Sequence, residues 1–279
     1  MKRASLNAGI VVIGRNEGPR LELCLNSAIQ TGVPVVYVDS ASTDDSVAVA
    51  QRTGVGVVEL DATHRLSAAR GRNAGVAYLR DRHSDVEFVQ FVDGDCVLQP
   101  GWVETAAGFL TDSTTYAIAC GRLRERHPEA SIYNRLCDLE WDRPAGEIAS
   151  CGGIFMVRVA AFEAVGGFDP HIMAGEEPQL SRKLRAAGWR IRRLDTDMAT
   201  HDADMHRFGQ WWRRATRSGY GYAEDLGREG VRTSPAAVKG VCSAWFWAAA
   251  VPVVAVLTSM LLTGWGTVVL LAYPFQVTR

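Results

Sequence analysis

Phe88-Val89-Gln90-Phe91-Val92-Asp93-Gly94-Asp95-Cys96 is an apolar, β-prone run that breaks into two carboxylates separated by one glycine. A buried strand ending this way delivers charged oxygens to the carboxyl edge of a sheet, where open α/β sheets bind their ligands. Carboxylates there need a cation. Hard oxygen donors suit magnesium or manganese, which take phosphate oxygens into the same shell. An isolated Asp-Gly-Asp is also an ordinary turn, so the reading depends on what else collects at that edge. Asn16 and Glu17 follow the first apolar run and Asp39 closes the second. Polar groups therefore recur at the carboxyl ends of successive strands, which solvation alone explains poorly.

The elements that must position these groups follow from hydrophobic periodicity. Residues 9–13, 33–38 and 56–60 read as buried strands, and Leu21, Leu25, Ala28 and Ile29 recur at helical spacing after the first. A small polar cluster, Asp39-Ser40-Ala41-Ser42-Thr43-Asp44-Asp45-Ser46, leads into a helix carrying Val47 and Ala50, with Ser42 or Thr43 as a candidate helix cap. Residues 68–79 form a third helix before the Asp-Gly-Asp strand. This alternation predicts right-handed crossovers and a mainly parallel central sheet flanked by helices, a nucleotide-binding α/β class. Gly14-Arg15-Asn16-Glu17-Gly18 lacks the Gly-x-Gly-x-x-Gly spacing, and no Walker-type loop is present, which disfavours Rossmann oxidoreductases and P-loop enzymes.

Composition narrows the class further. With 279 residues, 47% hydrophobic, the chain can bury one large domain or a domain with an appendage. A net charge of -1 gives no basic excess, so no nucleic-acid partner is expected. The six cysteines are scattered without zinc or disulfide spacing and fit reduced thiols in a cytosolic compartment. Residues 9–13 are too short a run for a signal-peptide core.

In order from residue 9 to about residue 223, the motifs resemble those of family 2 glycosyltransferases with the GT-A fold. Residues 12–17 resemble the family's opening strand and Asn-Glu loop. Tyr37-Val38-Asp39-Ser40-Ala41-Ser42-Thr43-Asp44 resembles its Val-Asp-Asp-Gly-Ser-Thr-Asp segment, with Ser40 and Ala41 replacing the common Asp-Gly. Ala69-Arg70-Gly71-Arg72-Asn73-Ala74-Gly75 resembles its Ala-Arg-Asn-x-Gly helix start, and Asp93-Gly94-Asp95 falls at its metal motif. The resemblance implies that Asp39 accepts a hydrogen bond from the nucleotide base and that Asn16, Glu17 and Ser42 line the base and ribose pocket. It also implies that Arg72 and Asn73 lie against the nucleotide. Asp95 is the implied direct ligand of a manganese or magnesium ion, with Asp93 holding the ribose, or the metal through water.

The second half resembles the acceptor side of the same family. Ser150-Cys151-Gly152-Gly153-Ile154-Phe155-Met156-Val157 resembles the glycine-containing loop beneath the donor sugar, where the bare backbone of Gly153 admits close approach. Gly175-Glu176-Glu177-Pro178-Gln179-Leu180 resembles the Glu-Asp motif whose second acid is the general base. Glu177 takes that place beside Glu176, while Gln179 stands where another acid is common. A glutamate pair followed by proline is also a favourable helix start, and the two roles are compatible. A short strand at residues 188–194 is followed by Met198-Ala199-Thr200-His201-Asp202. The resemblance implies His201 as third metal ligand, with His206 in reserve. Phe208-Gly209-Gln210-Trp211-Trp212-Arg213-Arg214 resembles the Gln-x-x-Arg-Trp helix of processive members but has Arg214 in place of the final tryptophan, which points to non-processive transfer.

The tail changes character. Residues 240–278 carry no charge, and 241–262 is long enough for a membrane-spanning helix, with Pro252 as a kink. Thr263-Gly264-Trp265-Gly266 then interrupts before residues 267–275. This reads as a hairpin with a short return leg or as a segment cut short at Arg279; a buried helix covering the sheet is the alternative. Basic residues before the run and Arg279 after it put both ends in the cytoplasm. The expected organisation is a catalytic domain over 1–230 and a membrane-associated helical hairpin over 231–279, at the cytoplasmic face of a bacterial inner membrane. The expected activity is inverting, metal-dependent transfer of a sugar from a nucleoside diphosphate donor to a hydroxyl of a glycan or lipid-linked acceptor, in envelope or exopolysaccharide synthesis. The rivals are a membrane-tethered, non-catalytic nucleotide- or glycan-binding protein and a sugar nucleotidylyltransferase.

Overall fold

The computed structural model describes residues 6–230, 235–261 and 265–272. The chain divides into two compact units, Met1–Trp212 and Arg213–Arg279.

The first unit is built on a nine-stranded sheet. Strands β1 (Ala8–Gly14), β2 (Val35–Asp39), β3 (Gly56–Glu59) and β4 (Phe88–Asp93) form its first half in the order β3-β2-β1-β4, all parallel. Helices α1 (Pro19–Ile29), α2 (Ser46–Thr53) and α3 (Ala68–Arg82) make the crossovers. Residues of β1 from Ala8 to Ile13 are buried, which explains its unbroken apolar sequence. Helix α1 starts on Pro19 and buries Leu21, Cys24, Leu25 and Ala28 at helical spacing. Helix α3 is capped by Ser67, which accepts from the Arg70 N–H. It lies so close to β1 that a Cβ on Gly75 would stand 2.3 Å from Val11 Cγ1.

The other half is mixed. Its strands are β5 (Cys96–Leu98), β6 (Tyr116–Glu125), β7 (Gly146–Glu147), β8 (Phe155–Arg158) and β9 (Arg190–His201). Beyond β4 the order continues β8-β6-β9-β5, with β7 also on β9; only β6 and β9 pair in parallel there. The segment expected as a short strand over 188–194 is therefore one strand of 12 residues that runs to His201. Charged residues at Arg192, Arg193, Asp195 and Asp197 hide its length from a hydrophobicity pattern because much of it is only half-buried. Helices α4 (Trp102–Asp112), α5 (Ile132–Trp141), α6 (Val159–Ala164) and α7 (Glu176–Ala186) complete this half. Phe91, Phe155, Phe162 and Phe168 pack edge-on or tilted in the core with centroids 5.2–6.4 Å apart.

Strands β4 and β5 are neighbours in sequence but lie on different partners, so the Asp-Gly-Asp turn is where the chain crosses between them. Pairing then sets the site: His201 is in register with Cys96 on one side and with Glu125 on the other.

Helix α8 (Phe208–Glu229) begins in the first unit and ends in the second. The second unit continues with α9 (Pro235–Trp245), a π-helical turn (Phe246–Ala250) and α10 (Val251–Leu261). Ala237–Leu261 forms a helix of 25 residues, long and apolar enough to cross a membrane. The irregularity expected at Pro252 is the π turn just before it. A 3-10 segment, Trp265–Leu271, packs back on α10 and takes in the last two residues of the interruption expected over 263–266; residues 263–264 of it, and 273–275 of the return leg expected over 267–275, lie outside the described residues.

Candidate active site

The loops after β1 and β2 are laced together. Asn16, with φ of 58°, donates its backbone N–H to Ser42 Oγ (2.9 Å) and accepts the Thr43 N–H on its Oδ1 (2.7 Å). Ser42 in turn donates its hydroxyl and its N–H to the two oxygens of Asp39, at 2.5 and 2.7 Å, and Tyr37 donates its phenol to the same carboxylate at 2.8 Å. Asp39 is only 1% exposed. Neither Ser42 nor Thr43 caps α2, which the capping reading had allowed; the Ser46 N–H goes to Asp44 Oδ1. Ser42 is committed to shaping the loop.

Glu17 stands between this loop pair and the Asp-Gly-Asp turn. Arg20 donates to its Oε2 at 3.2 Å, and burial with nearby Asp95 raises its pKa to about 7. A Cβ on Gly94 would meet Glu17 Cγ at 2.9 Å, so only glycine fits the turn.

Arg72 is the hub of a second cluster. It is 2% exposed, and its fork donates from Nη1 to Glu176 (3.0 Å) and Glu177 (3.1 Å) and from Nη2 to Asp93 (3.1 Å). Its guanidinium lies over the Phe168 ring at 5.5 Å. Asn73 grips the Phe168 backbone at both ends of its amide, donating to the carbonyl at 2.8 Å and accepting the N–H at 3.1 Å. Arg72 is buried and Asn73 half-buried, and Asn73 holds the Gly166-Gly167-Phe168 turn. Gly153 backs directly onto this cluster. A Cβ there would stand 2.7 Å from Arg72 Nη2 and 3.1 Å from both Asp93 Oδ2 and Glu177 Oε1. Glu176 and Glu177 open α7 as expected, and burial raises the Glu177 pKa to about 7 against the lowering pull of Arg72.

The third cluster is the candidate metal centre. Asp95 Oδ2 and His201 Nε2 stand 3.3 Å apart, and with Cys96 they are the one group of metal-ligand type among the described residues. Asp93 is not part of it. Burial raises the Asp95 pKa. It raises that of the Cys96 thiol well above the ordinary range, and the thiol donates to Asp95 Oδ1 at 3.3 Å. A carboxylate and an imidazole converging on one point, with a thiol beside them, fit a hard or borderline divalent cation. The reserve ligand His206 is instead on exposed Asp204 at 3.0 Å.

Three residues of these clusters carry no motif. Glu125 faces His201 Nδ1 at 3.8 Å, Trp141 packs on the His201 ring at 4.6 Å, and Arg20 bridges Glu17 to the Asp202 carbonyl. No motif in the sequence marks them, because Glu125 lies five residues past the apolar run Tyr116-Ala117-Ile118-Ala119-Cys120, behind Arg122 and Arg124.

Comparison with known proteins gives a consistent result. A model described as Glycosyl transferase family 2 matches residues 9–166, and one described as Glycosyl transferase family group 2 matches residues 88–277. A pre-mycofactocin glycosyltransferase of Mycobacterium tuberculosis is 26% identical over 250 residues, 83% of this chain and 50% of its own length. The chain thus spans about half the length of the curated relatives it matches. Among solved structures, a mannosyltransferase from Pyrobaculum calidifontis in complex with GDP-Man and Mn2+ matches with TM-score 0.58 and 19% identity, over 94% of this chain and 84% of that one. Glucosyl-3-phosphoglycerate synthase from Mycobacterium tuberculosis, in complex with Mn2+, UDP and glucosyl-3-phosphoglycerate, matches with TM-score 0.58 and 18% identity, over 80% of each chain.

Proposed function

The chain belongs to glycosyl transferase family 2 and has the GT-A fold, and from that premise we propose that it transfers a sugar, with inversion, from a nucleoside diphosphate donor to a hydroxyl acceptor. The observation that carries this reading is the Arg72 fork. It gathers Asp93, Glu176 and Glu177 around the bare backbone of Gly153, at the sheet edge that also holds Asp95 and His201.

Glu177 is the base. Its raised pKa, about 7, suits proton transfer near neutrality, and its position at the start of α7 fixes it rigidly. Its carboxylate takes the proton of the acceptor hydroxyl as that oxygen bonds to the anomeric carbon. The carbon–oxygen bond to the diphosphate breaks on the opposite face, and the nucleoside diphosphate leaves with the electron pair. One base and one displacement give inversion. Glu176 shares Arg72 Nη1 with Glu177 and helps neutralise the guanidinium. The Asn16–Ser42–Asp39 loop pair and Glu17 receive the nucleoside; Asp39 reads the base through Oδ2, which accepts the Ser42 N–H. Asp95 and His201 would hold the divalent cation, with Asp93 next to it, and the ion would supply Lewis-acid stabilisation of the departing diphosphate.

Arg214, in place of the tryptophan of processive members, favours single transfers. The 25-residue apolar helix and the basic residues before it support a catalytic domain over 1–230 anchored through 231–279 at the cytoplasmic face of a bacterial inner membrane. There the acceptor is a glycan or lipid-linked hydroxyl of envelope or exopolysaccharide synthesis. The family match leaves a sugar nucleotidylyltransferase without support, and the assembled carboxylates argue against a binding protein that has lost turnover.

Thermal denaturation with a panel of nucleoside diphosphates, each with and without manganese, tests the donor assignment. One diphosphate should stabilise selectively and only with the ion, by about 2.7 kcal/mol at a hundredfold excess over Kd. No stabilisation by any diphosphate in either condition would overturn the proposal.

A further inference from the structure

Behind the candidate metal centre lies a carboxylate that the transfer chemistry does not use. Glu125 closes β6 in register with His201, and its side chain is fully buried. Every contact it makes fixes it in place. Oε1 accepts from the His127 N–H at 3.1 Å and from Asn134 Nδ2 at 3.3 Å, and Oε2 accepts from the Ala203 N–H at 3.1 Å. Asn134 also accepts from the Met205 N–H at 3.0 Å, so Glu125 and α5 together pin the segment that follows His201. On the same side, Asp138 of α5 accepts the Glu125 N–H at 3.0 Å and a bidentate pair from Arg124, both at 2.7 Å. The result is a rigid bracket with one carboxylate oxygen turned toward the imidazole.

The imidazole needs such a partner. His201 Nδ1 is buried and has no hydrogen-bond acceptor or donor within reach; Glu125 Oε2, at 3.8 Å, is its one ion-pair partner among the described residues. The ring cannot turn freely, because the edge contact with Trp141 at 4.6 Å holds its plane. In the metal-free protein both ring nitrogens face a carboxylate, Nε2 facing Asp95 at 3.3 Å and Nδ1 facing Glu125. A cation seated beside Asp95 would take the Nε2 lone pair and leave the ring proton on Nδ1, where the buried Glu125 carboxylate faces it.

We propose that Glu125 is a positioning residue for the metal centre, holding His201 in the Nδ1–H tautomer and orientation in which Nε2 faces the cation beside Asp95. The inference rests on the reading of His201 as a metal ligand and adds to it a carboxylate–histidine–metal relay, with α5 as its support. The sequence gives no hint of this pairing, because the two residues meet only through the β6–β9 register.

The test is binding of manganese ion alone, followed by electron paramagnetic resonance on the full chain, in wild type, Glu125→Gln, Glu125→Asp, His201→Ala and the double variant Glu125→Gln/His201→Ala. Glu125→Gln keeps the size and one acceptor oxygen, and so preserves the Ala203 anchor better than truncation would. It should weaken manganese binding about ten-fold or more. Glu125→Asp, which keeps the charge but withdraws it, should lose less and covers the case in which the amide variant does not fold. The double variant should bind no worse than His201→Ala alone, since a residue that acts through His201 has nothing left to act on. Nitrogen-15 shifts of His201 with zinc bound as a diamagnetic stand-in should report a protonated Nδ1 in wild type and a displaced Nδ1 shift in Glu125→Gln, a signature that a merely structural role would not move. If His201→Ala weakens manganese binding while Glu125→Gln and Glu125→Asp match wild type, the positioning role is wrong and the ligand assignment stands. If His201→Ala itself leaves manganese binding unchanged, the ligand assignment falls and the inference falls with it.

Discussion

Adding one methyl group at Gly153 should separate the chemistry of this site from the stability of its fold. The alanine Cβ would stand 2.7 Å from Arg72 Nη2, and ordinary contact begins at 3.4 Å, so the guanidinium must retreat by about 0.7 Å. Arg72 cannot do so freely. It is 2% exposed and tied to three carboxylates, and retreat would stretch the 3.1 Å bond to Asp93 beyond hydrogen-bond length. Overpacking of this kind costs about 1–3 kcal/mol, which at about 2–4 °C per kcal/mol is a modest loss in Tm for a chain of this size. The effect on turnover should be larger, because displacement of reacting groups by about 1 Å costs up to about 10²-fold. We therefore expect Gly153→Ala to fold, with its Tm lowered by several degrees and kcat lowered roughly 10–100-fold. Gly152→Ala is the internal control: nothing lies within 4 Å of a Cβ there, and it should behave as wild type. Calorimetry and a transfer assay on the same preparations decide it. Wild-type kcat in Gly153→Ala, or equal damage from Gly152→Ala, would refute the claim that the bare backbone sets the Arg72 cluster.

Other perturbations reach the same site from different directions. Glu177→Gln should leave donor affinity nearly unchanged and lower transfer about 10²–10⁴-fold, and in wild type kcat/KM should rise with pH through about 7 as Glu177 loses its proton; a flat profile would assign the base elsewhere. The metal-free protein should melt higher near about pH 5 than near about pH 8. Glu17 and Glu177 are both raised from 4.5 to about 7 by burial, so between those values the native state holds more protons than the unfolded chain and stability falls as pH rises. The raised His201 and Asp95 act in the same sense, whereas the lowered Asp138 and Glu125 matter only on the acid side, and a Tm that climbs over this window would contradict the burial argument. In cells, the full chain should fractionate with membranes and a version ending near Gly230 should not; extraction of the full chain by alkaline carbonate without detergent would rule out spanning.

The parallel half of the fold was legible because its chemistry is local. Buried runs such as 9–13 and the small polar loops after them mark strand ends one by one, and the Asp-Gly-Asp turn sits where its residues indicate. The mixed half was not. Strand β9 alternates charge along its length, and the stretch between Cys96 and Ser150 offers no motif, so neither β6 nor its register with His201 could be read. For the same reason the sequence does not show that Arg72 gathers these acids: only the folded chain brings Asp93, Glu176 and Glu177 onto its fork. A small polar cluster like the one that holds Ser42 commonly caps the helix that follows. Here the hydroxyl bridges Asn16 and Asp39 instead.

The central claim is that Asp95 holds the cation that binds the donor diphosphate. Titration of the stabilising nucleoside diphosphate into wild type and Asp95→Asn, each with and without manganese, measures this directly. A neutral amide is a much poorer partner for a divalent ion, so Asp95→Asn should fold as wild type does and lose most of the manganese-dependent part of the affinity. An unchanged manganese-dependent Kd in Asp95→Asn would contradict the account.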